Sequence, residues 1–290
     1  MPFRVLRMIL IAEGCRTVMP RDFTSQTRHQ RSNGDARVSF GIRAGKARLR
    51  DLRQQGSAKA ILPHAGDVPE VVFLNTSGGL TGGDRLSYSV KLDDGVHVVA
   101  TTQAAERAYR SDGGRAEVDV RHEVGADGWL DWLPQETILF DGAALHRRTE
   151  IDLASGAGCL VLEAVVLGRK AMGETVRRIQ FTDHRQITRA GKPVHIEPLV
   201  LTDSALAAGD AVLGGARAFA SIVMVDSRAA DRLEPLRRVL DEPGTRAHAS
   251  AFDGRLCVRI MAADGYPMRR QILRALTVLR QAPLPRVWQM

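Results

Sequence analysis

Residues 75–86 read NTSGGLTGGDRL, with glycines at 78, 79, 82 and 83 between an apolar run and an alternating one. Gly78 and Gly83 fit the first two glycines of the phosphate-binding pattern G-x-x-x-x-G-K-[ST], but Asp84 and Arg85 stand where it needs Lys and Ser or Thr. A phosphate loop works because amide N–H groups and a lysine meet the phosphate charge while a hydroxyl holds Mg²⁺. Asp84 would repel phosphate. Leu86, Tyr88, Val90 and Leu92 alternate with Ser87, Ser89 and Lys91, which predicts a strand where the motif needs a helix. On both counts the loop is not a nucleotide site.

Other local signatures are also missing. The hydrolase pattern G-x-S-x-G fails at Ser77, which has Asn75 two positions before it, so Ser77 reads as a turn hydroxyl. The eight histidines include no H-x-x-H or H-x-x-x-H pair and therefore no sequence-local metal cage. His97 and His122 fall on strand patterns and read as packed or rim histidines. Carboxylates carry more. Glu106 lies in TTQAAERAYRS (101–111), Glu136 and Asp141 in WLPQETILFDG (132–142), and Glu174 in LGRKAMGE (167–174), close to Arg169 and Lys170. Acids in glycine-shaped turns beside arginines form structural ion pairs with shifted pKa values. The chemical alternative is a hydrolase on a β-sheet, with Glu136 and Asp141 as paired carboxylates of the glycosidase kind.

The elements that must position these residues are mostly strands. Ala116, Val118, Val120, His122 and Val124 alternate with Glu117, Asp119, Arg121 and Glu123, a half-buried strand with a charged outer face. EVVFL (70–74), VHVVATT (96–102), CLVLEAVVL (159–167), FASIVMV (219–225) and LCVRIMA (256–262) supply further β-branched runs, separated by Asp-Gly and Gly-Gly turns. Helical periodicity is confined to 203–213, 228–240 (with Pro235 inside) and 266–281, where Met268, Ile272, Leu276 and Leu279 form one stripe. The reading is a mainly β chain, an all-β sandwich, barrel or β-helix-type solenoid, in one domain over 36–290, with two or three helices towards the C-terminus and no fixed-period repeat. Residues 20–35 are polar and without periodicity, so 1–35 reads as a disordered extension, with Met19 as an alternative initiator.

Composition bounds the function. The chain has 290 residues, 44% of them hydrophobic, and a formal charge of +8. Residues 1–60 hold 13 Lys/Arg against 4 Asp/Glu, and the rest hold 28 against 29, so the body is neutral. A nucleic-acid module armed by residues 1–60 is the third reading, but nucleic-acid binders carry a basic folded surface with stacking aromatics, and aromatics are only 5% here. Cys15, Cys159 and Cys257 are far apart and odd in number, which argues against a disulfide framework and suits a reducing cytoplasm. No apolar run approaches the roughly 20 residues of a membrane span.

The ordered segments NTSGGLTGGD, ATTQAAERAYRS, WLPQETILFDGA, LGRKAMGE and the C-terminal PRVW, with LRQQGSAKAILP (52–63) before them, resemble the urease accessory protein family UreD, also called UreH. The resemblance runs from about Ala36 to Trp288. It implies a helix-poor fold of stacked sheets and a scaffold rather than an enzyme. Such a scaffold joins UreF and the GTPase UreG on the urease apoprotein, where a carbamylated lysine and two nickel ions are assembled. The GTPase partner then supplies the nucleotide chemistry, and the glycine-rich loop is architectural, with Asp84 accepting backbone N–H bonds. No tightly bound cofactor is implied, only transient Ni²⁺, which suits weak oxygen contacts. Asp84, Glu106, Glu136, Asp141 and Glu174 are the candidates for lining a nickel route or fixing its walls. The 266–281 helix and the PRVW tail are candidate partner surfaces, Trp288 being either an interface aromatic or part of its own core.

Overall fold

The computed structural model describes residues 30–289 apart from 64, 65, 67 and 281. The expected N-terminal extension lies outside the described residues as far as 29, and its last residues, from Asn33, already belong to the first strand. The strands are β1 (Asn33–Arg43), β2 (Lys46–Gly56), β3 (Ala58–Ile61), β4 (Glu70–Asn75), β5 (Arg85–Leu92), β6 (His97–Thr102), β7 (Glu106–Ala108), β8 (Ala116–Val124) and β9 (Trp129–Leu133). They continue as β10 (Thr137–Leu139), β11 (Ala143–Leu153), β12 (Gly158–Leu167), β13 (Ile179–Arg189), β14 (Lys192–Thr202), β15 (Ala218–Val225), β16 (Thr245–Phe252) and β17 (Arg255–Ala262).

Two sheets result. The smaller has the order β14-β13-β11-β8-β5-β1-β2, and the larger β16-β17-β15-β12-β9-β6-β4-β3, with β10 and β7 paired alongside β12. From β4 to β13 the chain passes back and forth between the sheets. Each strand lies parallel to the strand one coil earlier: β4, β6, β9 and β12 in the larger sheet, β5, β8, β11 and β13 in the smaller. This is a solenoid-like stack of coils, one of the mainly β architectures open to the strand-rich sequence and the stacked-sheet fold that the family resemblance implies. One ladder position runs Leu86, Val118, Arg147, Asp183, so successive coils advance by 32, 29 and 36 residues. Those unequal lengths hide the repeat from a search for a fixed period. Antiparallel hairpins close both ends: β1–β2 and β3–β4 at one, β13–β14 and β12–β15–β17–β16 at the other.

The space between the sheets holds the first core, with Phe40, Phe73, Tyr88, Trp132, Leu145 and Phe181 buried. A second core lies on the other face of the larger sheet, where Leu133, Leu162, Ile222 and Val258 meet Met268, Ile272, Leu276 and Trp288. Burial on both faces is why β12 reads as an almost unbroken apolar run instead of alternating. The helices are α1 (Asp203–Ala207), α2 (Leu233–Arg237) and α3 (Gly265–Arg280). Only α3 reaches its expected length. The 203–213 helix stops because Gly209 takes φ +60° directly after Ala208. In 228–240 the α-helix shrinks to one turn around Pro235, preceded by the 3₁₀ turn Ala229–Arg232. No described helix is long and apolar enough to cross a membrane.

Candidate functional site

The glycine loop after β4 turns on backbone conformations that side chains resist. Gly79 has φ +146°, and a Cβ there would lie 2.4 Å from the Tyr109 ring. Gly82 packs so tightly that a Cβ would meet Gly113 O at 2.2 Å. Asp84 is buried and accepts the N–H groups of Ser32 at 2.7 Å and Thr81 at 2.8 Å. The sequence reading of this loop as architecture therefore holds, and Ser77 is the turn hydroxyl it suggested, donating to Asn75 Oδ1 at 2.6 Å.

This loop forms one lip of a cavity of about 210 Å³ that reaches into the space between the sheets. Asn75, Gly78 and Gly79 line it together with residues 102–107, and Tyr88, Trp132 and Arg147 also stand in its wall. Glu106 lies in that wall. Burial pushes its carboxyl up to about 7, against the pull of the Arg107 N–H at 3.1 Å and of Asn75 Nδ2 at 3.2 Å. A group held there exchanges its proton at neutral pH.

A second cavity, about 290 Å³, lies beyond the first, and Arg147 and Glu163 line both. Arg147 is buried. Its guanidinium donates to Asp183 Oδ1 at 3.0 Å and Oδ2 at 2.9 Å, to Thr137 Oγ1 at 3.1 Å, and pairs with Glu163 Oε2 at 2.7 Å. Trp132 Nε1 reaches Glu163 Oε1 at 3.4 Å. Arg185 continues the chain: its Nε lies 3.3 Å from Asp183 Oδ2 without the alignment of a hydrogen bond, and its Nη2 donates to Glu197 at 2.6 Å. Glu197 also meets His195 at 3.1 Å, Ser221 at 3.1 Å and Arg259 at 2.8 Å. Burial alone would raise Glu197, but the His195 hydrogen bond and the Arg185 and Arg259 charges bring it down to about 2. Burial raises Glu163 despite Arg147. Three guanidinium groups and three carboxylates thus form a balanced network from the centre of the stack out to Arg259.

Sequence reasoning missed this network, although a signal was present. Arg147 sits in phase with the buried Leu145, Ile151 and Leu153 of β11, and Asp183 and Arg185 in phase with Ile179, Phe181 and Ile187 of β13. Charges on the apolar phase of a strand, and a lone Glu163 inside CLVLEAVVL, mark buried ions that must pair.

The five carboxylates chosen from sequence do not meet at one point. Asp84 and Glu106 flank the first cavity's lip and wall. Glu136 lies at one end of β10, 3.7 Å from Arg269 of α3. Asp141 lies beyond the other end, accepting the N–H groups of Arg177 and Arg178 at 2.9 Å each, which together hold its carboxyl down at about 2. Glu174 is next to Asp141, accepting the Asp141 N–H at 3.2 Å. Its pKa is lowered: burial opposes this, and the Arg169 side chain at 2.9 Å overcomes it. Glu136 and Asp141 therefore have separate partners and do not form the facing pair that the hydrolase reading needs. His122 is a packed core histidine: its ring lies 4.7 Å from that of Trp132, and burial lowers its pKa to about 3. Among the described residues, no three His, Cys, Asp or Glu side chains form a metal-holding group.

The C-terminal tail is bound to its own body. Trp288 is buried, donates from Nε1 to Leu133 O at 3.0 Å, and lies under Arg269 at 4.7 Å. Of the two readings of Trp288, the core is correct. The apolar stripe of α3 is likewise covered by the larger sheet.

Residues 32–289 match the family described as UreD urease accessory protein. A urease accessory protein UreD of Cereibacter sphaeroides is 63% identical over 263 residues, covering 90% of this chain and 96% of that protein. The UreD proteins of Paracoccus denitrificans (53% over 271 residues) and Rhizobium leguminosarum bv. viciae (45% over 270 residues) each cover 92% of this chain, and 96% and 98% of their own lengths.

Proposed function

Because the chain belongs to the UreD urease accessory protein family, we propose that it serves urease maturation as a non-catalytic scaffold for nickel insertion. In this reading it binds the urease apoprotein together with UreF and the GTPase UreG in the cytoplasm, and Ni²⁺ is cargo rather than a resident cofactor. The observation that carries the reading is the first cavity, whose mouth is built from the glycine-rich loop and residues 102–107, with Glu106 in its wall.

The chemistry follows from Glu106. A carboxyl that keeps its proton up to about 7 gives a divalent cation one proton to displace. Binding is then weak and exchangeable, as handover requires. Asp84, Asp141 and Glu174 are taken up by backbone N–H groups and arginines. Their role in this proposal is to fix the walls, and Glu136, paired with Arg269, ties the neighbouring segment to α3.

The test substitutes each acid by its amide and scores urease activation in cells, with assembly of the UreD–UreF–UreG–urease complex followed by pull-down. Glu106→Gln is expected to lower activation several-fold while the complex still assembles. Asp84→Asn, Asp141→Asn and Glu174→Gln are expected to lower the amount of folded chain first. Normal activation in all five variants would remove the nickel-route reading, and failure of the wild-type chain to co-purify with the other components would remove the scaffold.

A further inference from the structure

The outer face of the smaller sheet pairs its charges across neighbouring strands. Arg85 of β5 meets Glu117 of β8 at 3.3 Å, Lys91 meets Glu123 at 2.7 Å, and Arg121 of β8 meets Glu150 of β11 at 3.4 Å. At the β1–β2 end this arrangement fails. The register sets Arg37 opposite Arg53 and Arg43 opposite Lys46. Like charges placed directly across a strand pair destabilise it. Arg37 has Asp35 at 3.0 Å, and Arg50, the extra residue of the bulge, has Asp93 as its partner. Arg43, Lys46, Arg48 and Arg53 have no ion-pair partner among the described residues.

β2 is also the outermost strand of its sheet, eleven residues long and exposed along nearly its whole length. Its two faces differ. Lys46, Arg48, Asp51 and Arg53 share the outer face with Arg37 and Arg43, whereas Ala47, Leu49 and Leu52 lie opposite Ile42, Phe40 and Val38 on the inner face. Leu49 and Leu52 are 42% and 37% exposed. The other end of the molecule is treated differently. β14, the opposite edge of the same sheet, carries Pro193 and Pro198, which have no N–H to offer an incoming strand. β16 has Ala247, Ala249 and Ala251 of its inner face packed into the second core.

We infer that the free edge of β2 is a docking site for an extended, acidic and amphipathic strand of a partner protein, which joins the smaller sheet as its next strand. Main-chain hydrogen bonds to the open edge supply affinity, and alternating side chains supply specificity. Acidic residues of the added strand would lie beside Lys46, Arg48 and Arg53 and offset the like-charge pairs. Apolar residues on its other face would extend the cover over Leu49 and Leu52. The charge fixes the class of occupant. A second copy would set the same basic edge against itself. The chain's own residues 1–29 hold five arginines against Glu13 and Asp22, which is also the wrong sign. This inference is independent of the nickel-route reading, because it uses none of that reading's carboxylates.

The probes are a synthetic peptide of β2's length alternating Glu with Val, the same peptide with Lys for Glu, and duplex DNA as a polyanion without strand geometry. The readout is amide hydrogen exchange of residues 46–56 in the full chain, with peptide affinity measured in parallel. The acidic peptide is expected to slow exchange along β2 and to bind about tenfold tighter than the lysine peptide. The double variant R48E/R53E is expected to reverse that preference. In the free chain Arg53→Glu should raise the melting temperature, since glutamate then faces Arg37, which separates loss of docking from loss of folding. The inference is overturned if exchange over 46–56 is unchanged by the acidic peptide, or if the double variant keeps the wild-type preference. It is also overturned if DNA slows exchange there as strongly as the peptide, or if the chain protects β2 by itself as its concentration rises.

Discussion

Two halves of the coil stack treat one ladder position in opposite ways. Leu86 and Val118 fill it in the early coils, and Arg147 and Asp183 fill it in the later ones, in line across β5, β8, β11 and β13. The apolar half asks little of its neighbours, since any well-packed side chain excludes water from Val118. The ionic half depends on each charge finding its partner: Arg147 spends its donors on Asp183, Glu163 and Thr137, and Asp183 stands beside Arg185. A stacked architecture can therefore change from hydrocarbon to ion pairs within one coil, provided that both sheets change together. Glu163 of the larger sheet supplies the charge that the smaller sheet cannot.

The largest expected effect comes from breaking the ionic half. Arg147→Met leaves Glu163 buried without its cation and Asp183 with Arg185 alone, and should lower stability by about 4 kcal/mol, measured by denaturant unfolding. Converting the later coils to the character of the earlier ones sharpens the point. The triple change Arg147→Met, Glu163→Leu, Asp183→Leu should return most of that loss, because no charge is then left unpaired. A further loss in the triple variant would mean that the network specifies the packing rather than merely balancing itself.

The wall of the first cavity is probed by pH. Glu106 holds its proton up to about 7 in the folded chain against an ordinary 4.5, so the native state binds the proton more tightly. Stability contributed by this group is present below about 4.5 and is lost as pH rises towards 7. Glu106→Gln should therefore match the wild type near pH 4 and exceed it at pH 8. The gain should be about 2 kcal/mol, less than the full shift would give because solvent reaches part of the side chain. Equal pH profiles would show that the carboxyl is not held by burial. The smallest effect belongs to the outer face. Lys91→Gln removes a pair whose side chains are 62% and 61% exposed and should change stability by less than about 0.5 kcal/mol in a thermal melt.

Much of this was legible in the residues. The alternation in β8, the strand after the glycine loop and the stripe of α3 each follow from local period, and Asp84 as a loop anchor follows from the family resemblance. Glu106 was legible as a candidate but not as the one whose carboxyl lies in the cavity wall, because residues 75–79 and 102–107 come together only across coils. Glu136 and Asp141 looked like neighbours in the sequence, and β10 gives them separate partners. The network around Arg147 was missed because its partners, Glu163 and Asp183, are 16 and 36 residues away. Only the parallel register of β11 with β13 and the facing of the two sheets bring them within hydrogen-bond reach.

The sequence by itself determined the strands around 70–74, 86–92, 96–102, 116–124, 159–167, 219–225 and 256–262, the turns between them, that the body is neutral, and to which family it belongs. These properties are set by neighbouring residues and by composition, through side-chain period, glycine conformation and charge count. Tertiary structure decided which charges are buried together, which carboxyl lies in the cavity wall, that Trp288 belongs to the chain's own core, and that β2 is the outermost of the described strands in its sheet. Each of these depends on distances between coils, and a stack with coils of unequal length encodes no such distance in local spacing.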